Sequence, residues 1–188
     1  MLTRHSGPGW MATGFLFYIP IYALFYGFYL KKQTKKAKIS WTLLFVYTFL
    51  VFDLTQFPYP IGESAREHVA TQHSFRYNLV PLDNFIENFF ISFRPRYLFE
   101  NFMNVMIFIP FGFLVANVLK GNKRFVKVLL ISFGFTLMIE LLQLVTSMTG
   151  MNVRIFDVDD LIFNTIGGVI GYLCFAIIRS IQAKRKHS

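Results

Sequence analysis

The sequence predicts an all-α fold: a polytopic membrane helical bundle of about five transmembrane helices plus an amphipathic helix on the outer leaflet. Of the 188 residues, 54% are hydrophobic and only 15% are charged, and the mean hydropathy is +0.47. A soluble domain of this size could not bury so much apolar surface. The apolar residues also form long uninterrupted stretches, and the basic residues fall between them in a biased way.

Five stretches are long enough to cross a hydrocarbon core, which takes about 20 residues of helix. The predicted spans are 11–30, 40–58, 99–119, 125–148 and 158–178. The first is interpreted as a span because it is too long for the apolar region of a signal peptide, and no small-residue cleavage site follows it.

The charges predict the orientation of these spans. Segments 31–38, 120–127 and 179–188 hold 13 of the 19 basic residues and no acidic residue. The positive-inside rule places all three in the cytoplasm, so we expect the N-terminus outside and the C-terminus inside. An odd number of spans agrees with this. The net charge of +9 then belongs to the cytoplasmic surface, and nucleic-acid binding is not expected.

A further helix is predicted between the second and third spans. Its apolar residues recur at i, i+3, i+4, i+7, i+8 and i+11, and they are Leu82, Phe85, Ile86, Phe89, Phe90 and Phe93. Such a helix could lie on the outer leaflet or pack over the mouth of the bundle. In both cases it would roof the outer ends of the spans.

Polar residues recur at one depth of the predicted bundle. Counted from Lys127 at 1.5 Å per residue, Glu140 lies about 20 Å into a core about 30 Å thick, in its outer third. Asp53 and Gln56 of the second span reach a similar depth. The candidate ligand-binding residues, or polar cluster, are Asn101, Asn104, Glu140, Gln143, Arg154, Asp157, Asp160 and Asn164.

Several chemistries are open to this cluster. Arg154 could hold a phosphate or a carboxylate through its planar fork, and the carboxylates could bind a divalent cation or act as a general acid or base. The alternative is an internal polar network in which Arg154 and Glu140 neutralise each other or the Asp pair. Asp157 could also simply cap the fifth helix.

Motifs of known enzyme and cofactor sites are not found. There is no Ser-centred nucleophile elbow, no HExxH and no glycine-rich phosphate loop. His68 and His73 do not have the spacing of two ligands on one helix face, so no metal site is expected. No catalytic residue and no cofactor is assigned. The glycines at 167, 168 and 171 predict close helix packing.

The order of the polar motifs resembles the VanZ-like family over residues 78–178. The motifs are Asn78-Leu79-Val80-Pro81-Leu82, Asn101-x-x-Asn104, Phe108-Ile109-Pro110-Phe111-Gly112, Glu140-x-x-Gln143 and Asp157-x-x-Asp160-x-x-x-Asn164-Thr165-x-Gly167-Gly168. The family comprises bacterial membrane proteins whose founding member lowers sensitivity to the glycopeptide teicoplanin. The division expected from it is two N-terminal spans with the start of an extracytoplasmic segment in 1–77, the VanZ-like membrane domain in 78–178, and a basic tail in 179–188.

The resemblance implies a role in the cell envelope and leaves three hypotheses for the activity. The first is binding of an amphiphile, a lipoglycopeptide antibiotic or a membrane lipid, at the outer leaflet. The second is a carboxylate- or metal-dependent enzyme that acts on a lipid-linked envelope precursor through Glu140, Asp157 and Asp160. The third is a transporter, which would need oligomers because five spans make a small unit.

Overall fold

The computed structural model describes residues 9–72, 77–151 and 154–185 and has seven α-helices in this part of the chain. They are α1 (Phe15–Phe28), α2 (Lys35–Gln56), α3 (Glu63–Gln72), α4 (Asp83–Ile86), α5 (Pro95–Val118), α6 (Arg124–Met148) and α7 (Val158–Arg185). A 3-10 turn, Leu30–Lys32, follows α1, and a π-helical turn, Glu87–Ile91, follows α4. His73, which with His68 was not expected to form a metal site, lies outside the described residues.

Two pairs of short strands connect the helices. β1 (Trp10–Met11) pairs antiparallel with β2 (Tyr59–Pro60). β3 (Tyr77–Asn78) pairs in parallel with β4 (Phe156–Asp157), so that Asn78 stands opposite Asp157. The second pair attaches the segment before α4 to the start of α7.

Four helices, α2, α5, α6 and α7, are long and apolar enough to cross a membrane, which confirms the predicted all-α membrane bundle. The predicted first span, 11–30, contains a shorter apolar helix, the 14 residues of α1. At 1.5 Å per residue α1 is about 21 Å long, less than the hydrocarbon thickness of about 30 Å. A residue of α2 fixes the start of α1. One carboxylate oxygen of Asp53 accepts hydrogen bonds from Thr13 Oγ1, the Gly14 N–H and the Tyr18 hydroxyl.

The amphipathic helix predicted over 82–93 is shorter than expected. Leu82 and Phe93 have φ values of +63° and +35°, which a right-handed helix does not accommodate. The helical part therefore runs from Asp83 to Ile91. Phe85 packs against Phe163 of α7, with ring centroids 5.6 Å apart, whereas Phe89 and Phe90 are 44% and 71% exposed.

The closest helix contact joins α5 and α7 through glycines. A Cβ added at Gly112 would overlap the backbone of Gly168, and one at Gly171 would overlap the Ile109 carbonyl. We call this contact the α5–α7 seam. An apolar core lies beside it, made of Val51, Phe108, Phe111, Val115, Ala116, Val128 and Ile139.

The helix directions give the bundle two different ends. The polar end contains the last turns of α2 and α6 and the first turns of α5 and α7. The basic end contains their opposite termini, with the loop between α5 and α6 and the last turns of α7.

Candidate functional site

Asp157 is the junction of the polar end. Its Oδ1 accepts from Asn78 Nδ2 at 2.9 Å, and its Oδ2 accepts from Asn84 Nδ2 at 2.8 Å. Oδ1 also accepts from the Asp159 N–H at 2.9 Å, which makes Asp157 a cap for α7. The carboxylate thus joins three segments that are distant in sequence: β3, α4 and α7.

Glu140 lies behind Asp157 and is only 1% exposed. Its Oε2 accepts from the backbone N–H of Asp157 at 3.1 Å. The Glu140 carboxyl group is also near the Asp160 carboxyl group, close enough for the two to influence each other electrostatically. A buried carboxyl group with few donors is costly unless further hydrogen bonds or a counter-charge stabilise it.

Neighbouring helices are linked by amide side chains. Asn104 of α5 donates to Asp160 Oδ1 of α7 at 2.6 Å, and Asn164 donates to Thr136 Oγ1 of α6 at 2.8 Å. Gln143 of α6 donates to the Thr55 carbonyl at 3.0 Å. In return, Gln56 of α2 donates to the Ile139 carbonyl at 3.1 Å.

Arg154 lies against the end of α2. Its Nη2 donates to the carbonyls of Leu54 at 3.4 Å and Phe57 at 3.5 Å, where the negative end of the helix dipole favours a cation. Burial lowers the pKa of Arg154, and the nearby Glu140 carboxylate opposes that shift. The described residues contain one ion pair, Arg96–Glu100. Glu140 and Arg154 are therefore neighbours without being a contact pair.

The polar network includes residues that the sequence did not single out. Asp159 is 1% exposed, and its carboxylate accepts from the backbone N–H groups of Leu82 and Phe85. It was missed because it lies off the i, i+3, i+7 stripe of Asp157, Asp160 and Asn164. The one sequence signal for a role of Asp159 is its position in the first turn of α7, where an acidic side chain commonly accepts from backbone N–H groups.

Asn101 is the predicted site residue that stays apart from this network. It is half-buried on α5, one turn before Asn104, and no hydrogen bond joins its side chain to another described residue. The other seven predicted residues are brought to the polar end, although Asn164 lies about one turn deeper than Asp160 on α7.

We use the name carboxylate cluster for Glu140, Asp157 and Asp160. Among the described residues, hydrogen bonds reach both oxygens of Asp157 but only Oε2 of Glu140 and Oδ1 of Asp160. The second oxygens, Glu140 Oε1 and Asp160 Oδ2, could accept hydroxyl or amine donors of a ligand. In the described part of the chain no group of three or more His, Cys, Asp or Glu residues is placed to hold a metal ion.

Comparison with models of protein families identifies the family of this chain. A family model described as VanZ/LLP1 matches residues 41–179, a range that begins within α2 and contains all eight predicted site residues. Neither the curated proteins nor the solved structures give a match. Because the family model covers most of the chain, including all four long apolar helices in whole or in large part, the protein belongs to the VanZ/LLP1 family.

Proposed function

We propose that this VanZ-like multi-pass membrane protein binds an amphiphilic ligand at the outer leaflet of the bacterial cell membrane and thereby lowers sensitivity to teicoplanin or related lipoglycopeptides. The polar head of the ligand contacts the carboxylate cluster and Arg154. Its apolar part lies along the segment 83–93. The observation that carries the proposal is the physical link between these two surfaces.

That link consists of hydrogen bonds to two adjacent aspartates. Asp157 holds Asn84, and Asp159 holds the N–H groups of Leu82 and Phe85. The exposed side chains of Phe89, Phe90 and Phe93 are therefore kept beside the polar cluster. A polar site flanked by an apolar surface matches a ligand that has a charged head and a lipid tail.

The groups available to the head have complementary chemistry. Glu140 Oε1 and Asp160 Oδ2 are acceptors outside the hydrogen-bond network of the described residues. Arg154 supplies a forked cation, which suits a carboxylate or a phosphate. A lipoglycopeptide has both amine or hydroxyl donors and a terminal carboxylate, so both kinds of group would be used.

Teicoplanin susceptibility of cells that express variants tests the proposal. We expect Arg154→Gln and Asp160→Asn to return susceptibility to the level of cells without the protein, since each removes a group that contacts the head. Glu67→Gln is the matched control, because Glu67 is exposed on α3 and its loss leaves the polar end intact. Unchanged protection by both site variants, at equal membrane levels, contradicts the proposal.

The double variant Glu140→Gln with Arg154→Gln separates ligand binding from charge compensation. If the two groups only balance each other, removing both restores stability and protection together. If the two groups bind a ligand, we expect the double variant to regain much of the stability that the single variants lose and still to give no protection against teicoplanin.

A second candidate function is favoured by the burial of Glu140 beside Asp160. Two carboxyl groups in different surroundings can divide the roles of general acid and general base, so the cluster could act on a lipid-linked envelope precursor. Incubation of purified protein with labelled envelope lipids, with and without divalent cations, distinguishes the two. Binding without product supports the first function, and product that disappears in Glu140→Gln supports the second.

A further inference from the structure

The basic end contains a cleft that is independent of the polar end. It has a volume of about 370 Å³ and lies between the first turn of α6 and the last turns of α7. Its polar lining is Arg124, Arg179 and Ser180, and its apolar lining is Tyr172, Phe175 and two alanines. The volume is within the range of small-ligand sites, about 300–1,000 Å³.

Aromatic packing positions one of the two arginines. The guanidinium carbon of Arg124 lies 5.2 Å from the centroid of the Phe175 ring, a cation–π distance. Phe175 in turn contacts Phe113 of α5, with ring centroids 5.8 Å apart. Arg124 is consequently held at the cleft wall and does not extend freely into solvent.

The hydrogen-bonding capacity of Arg124 is not fully used. Its Nε is buried and has no hydrogen-bond partner among the described residues. A buried donor without an acceptor costs about 1–3 kcal/mol, more when charged. An acceptor supplied by a ligand in the cleft would remove that cost.

The chain offers no side-chain carboxylate to these arginines. Its ten acidic residues all lie at or before residue 100, at residue 140, or between residues 157 and 160. The described residues have one ion pair, at Arg96 and Glu100 on α5. No carboxylate among the described residues therefore pairs with Arg124 or Arg179.

We infer that this cleft binds the phosphate group of an anionic phospholipid in the leaflet that surrounds the basic end. The planar forks of two arginines match the phosphate oxygens, and Ser180 can donate a further hydrogen bond. Tyr172 and Phe175 form the apolar wall for the glycerol and upper acyl chains. Basic pockets between transmembrane helices commonly bind such headgroups.

The location favours a lipid over a soluble phosphate ester. On α7, the cleft residues alternate with Leu173, Ile177 and Ile178, whose side chains are 45–60% exposed. These exposed apolar side chains suit a surface that faces the membrane. Acyl chains of a lipid bound in the cleft would continue along them. If Arg124 and Arg179 acted only as orientation determinants, no saturable preference for one headgroup would exist.

Binding of short-chain phosphatidylglycerol to the full-length protein in detergent tests the inference. The measured quantities are the rise in apparent melting temperature and the concentration that gives half of it. We expect a saturable rise for the wild type and roughly thirtyfold weaker apparent affinity in Arg124→Gln with Arg179→Gln, because two basic residues at about 1 kcal/mol each amount to about 2 kcal/mol. The control is Lys127→Gln with Lys184→Gln, which removes the same charge at the same end outside the cleft and should keep the wild-type affinity.

Four comparisons make the result decisive. Equal affinity in the cleft variant and the wild type, or equal loss in the lysine control, overturns the inference. An equal response to phosphatidylcholine also overturns it, because the anionic charge would then be irrelevant. Inorganic phosphate that reproduces the full shift, with the same dependence on arginine, assigns the cleft to a soluble ligand and overturns the lipid source. If the double variant does not fold, Arg179→Gln alone serves, since Arg179 is exposed.

Discussion

The two ends of the bundle handle charge in opposite ways. At the polar end, Asp157 accepts from Asn78 and Asn84, and Asp160 accepts from Asn104. At the basic end, Arg124 and Arg179 have no acidic partner among the described residues. The polar end thus stabilises the fold as well as offering acceptors, whereas the charges of the basic end are available to the surroundings. A ligand at the polar end has to share its groups with a network, and one at the basic end does not.

The α5–α7 seam joins the two ends, so breaking it should disturb both. We expect Gly112→Ala to lower the free energy of unfolding by about 2–4 kcal/mol, because the added methyl overlaps the backbone of Gly168. The apparent melting temperature in detergent measures the loss.

Gly134→Ala is the matched control for this substitution. A Cβ at Gly134 of α6 meets nothing within 4 Å, so the variant should be unchanged or more stable by about 1 kcal/mol from helix propensity. Equal melting temperatures for the two variants would show that the seam is looser than described.

Loss of Asp157 should affect the polar end alone. Asp157→Asn places an amide where three N–H groups now meet carboxylate oxygens. We expect about 2–3 kcal/mol of destabilisation, since buried donors lose a charged acceptor, together with faster hydrogen exchange in residues 79–91. Asp83→Asn, at an exposed carboxyl of the same segment, is the control. A variant that keeps slow exchange in 79–91 would show that Asp157 does not hold this segment.

A smaller effect is expected deeper in the same network. Thr136→Val removes the acceptor of Asn164 and should cost about 1 kcal/mol, the scale of hydrogen bonds between membrane helices. Thr165→Val is the matched control, because the buried Thr165 hydroxyl has no hydrogen-bond partner among the described residues and its removal should cost nothing. If the Thr165 variant is the less stable of the two, the hydrogen bond between Asn164 and Thr136 does not contribute the expected stability.

The long helices could be predicted because hydrophobic stretches of span length determine them. The stretch 40–58 became Lys35–Gln56, and 99–119 became Pro95–Val118. The short α1 could not be predicted, since Asp53 fixes its start through a contact distant in sequence. The left-handed backbone conformation of Leu82, which ends the helix on its N-terminal side, could not be predicted either. Periodicity describes which face of a helix is apolar and contains no information on where a tertiary contact ends it.

The same limit applies to the candidate site. Counting residues along alternating spans gives the depth of each polar group, so Asn104 and Asp160, near the starts of the parallel helices α5 and α7, were expected in the same layer. The roles of Asn78, Asn84 and Asp159 did not follow, because β3 and β4 pair between connecting segments whose positions depth alone does not determine. An ion pair of Arg154 with Glu140 was one of the alternatives, and two hydrogen bonds of Arg154 go to the carbonyls at the end of α2.

We propose that the polar end faces the outside of the cell and that the basic end faces the cytoplasm, as the positive-inside rule predicts. Single cysteines in a Cys174→Ala background test it in intact cells with an impermeant thiol reagent. Ser64→Cys reports on the polar side. Asn122→Cys reports on the basic side, and it is preferable to its neighbour Gly121, whose φ of +84° disfavours a side chain. With this orientation, we expect the cysteine at position 64 to be labelled and the cysteine at position 122 to be protected until the cells are permeabilised. The reverse pattern would contradict the proposed orientation.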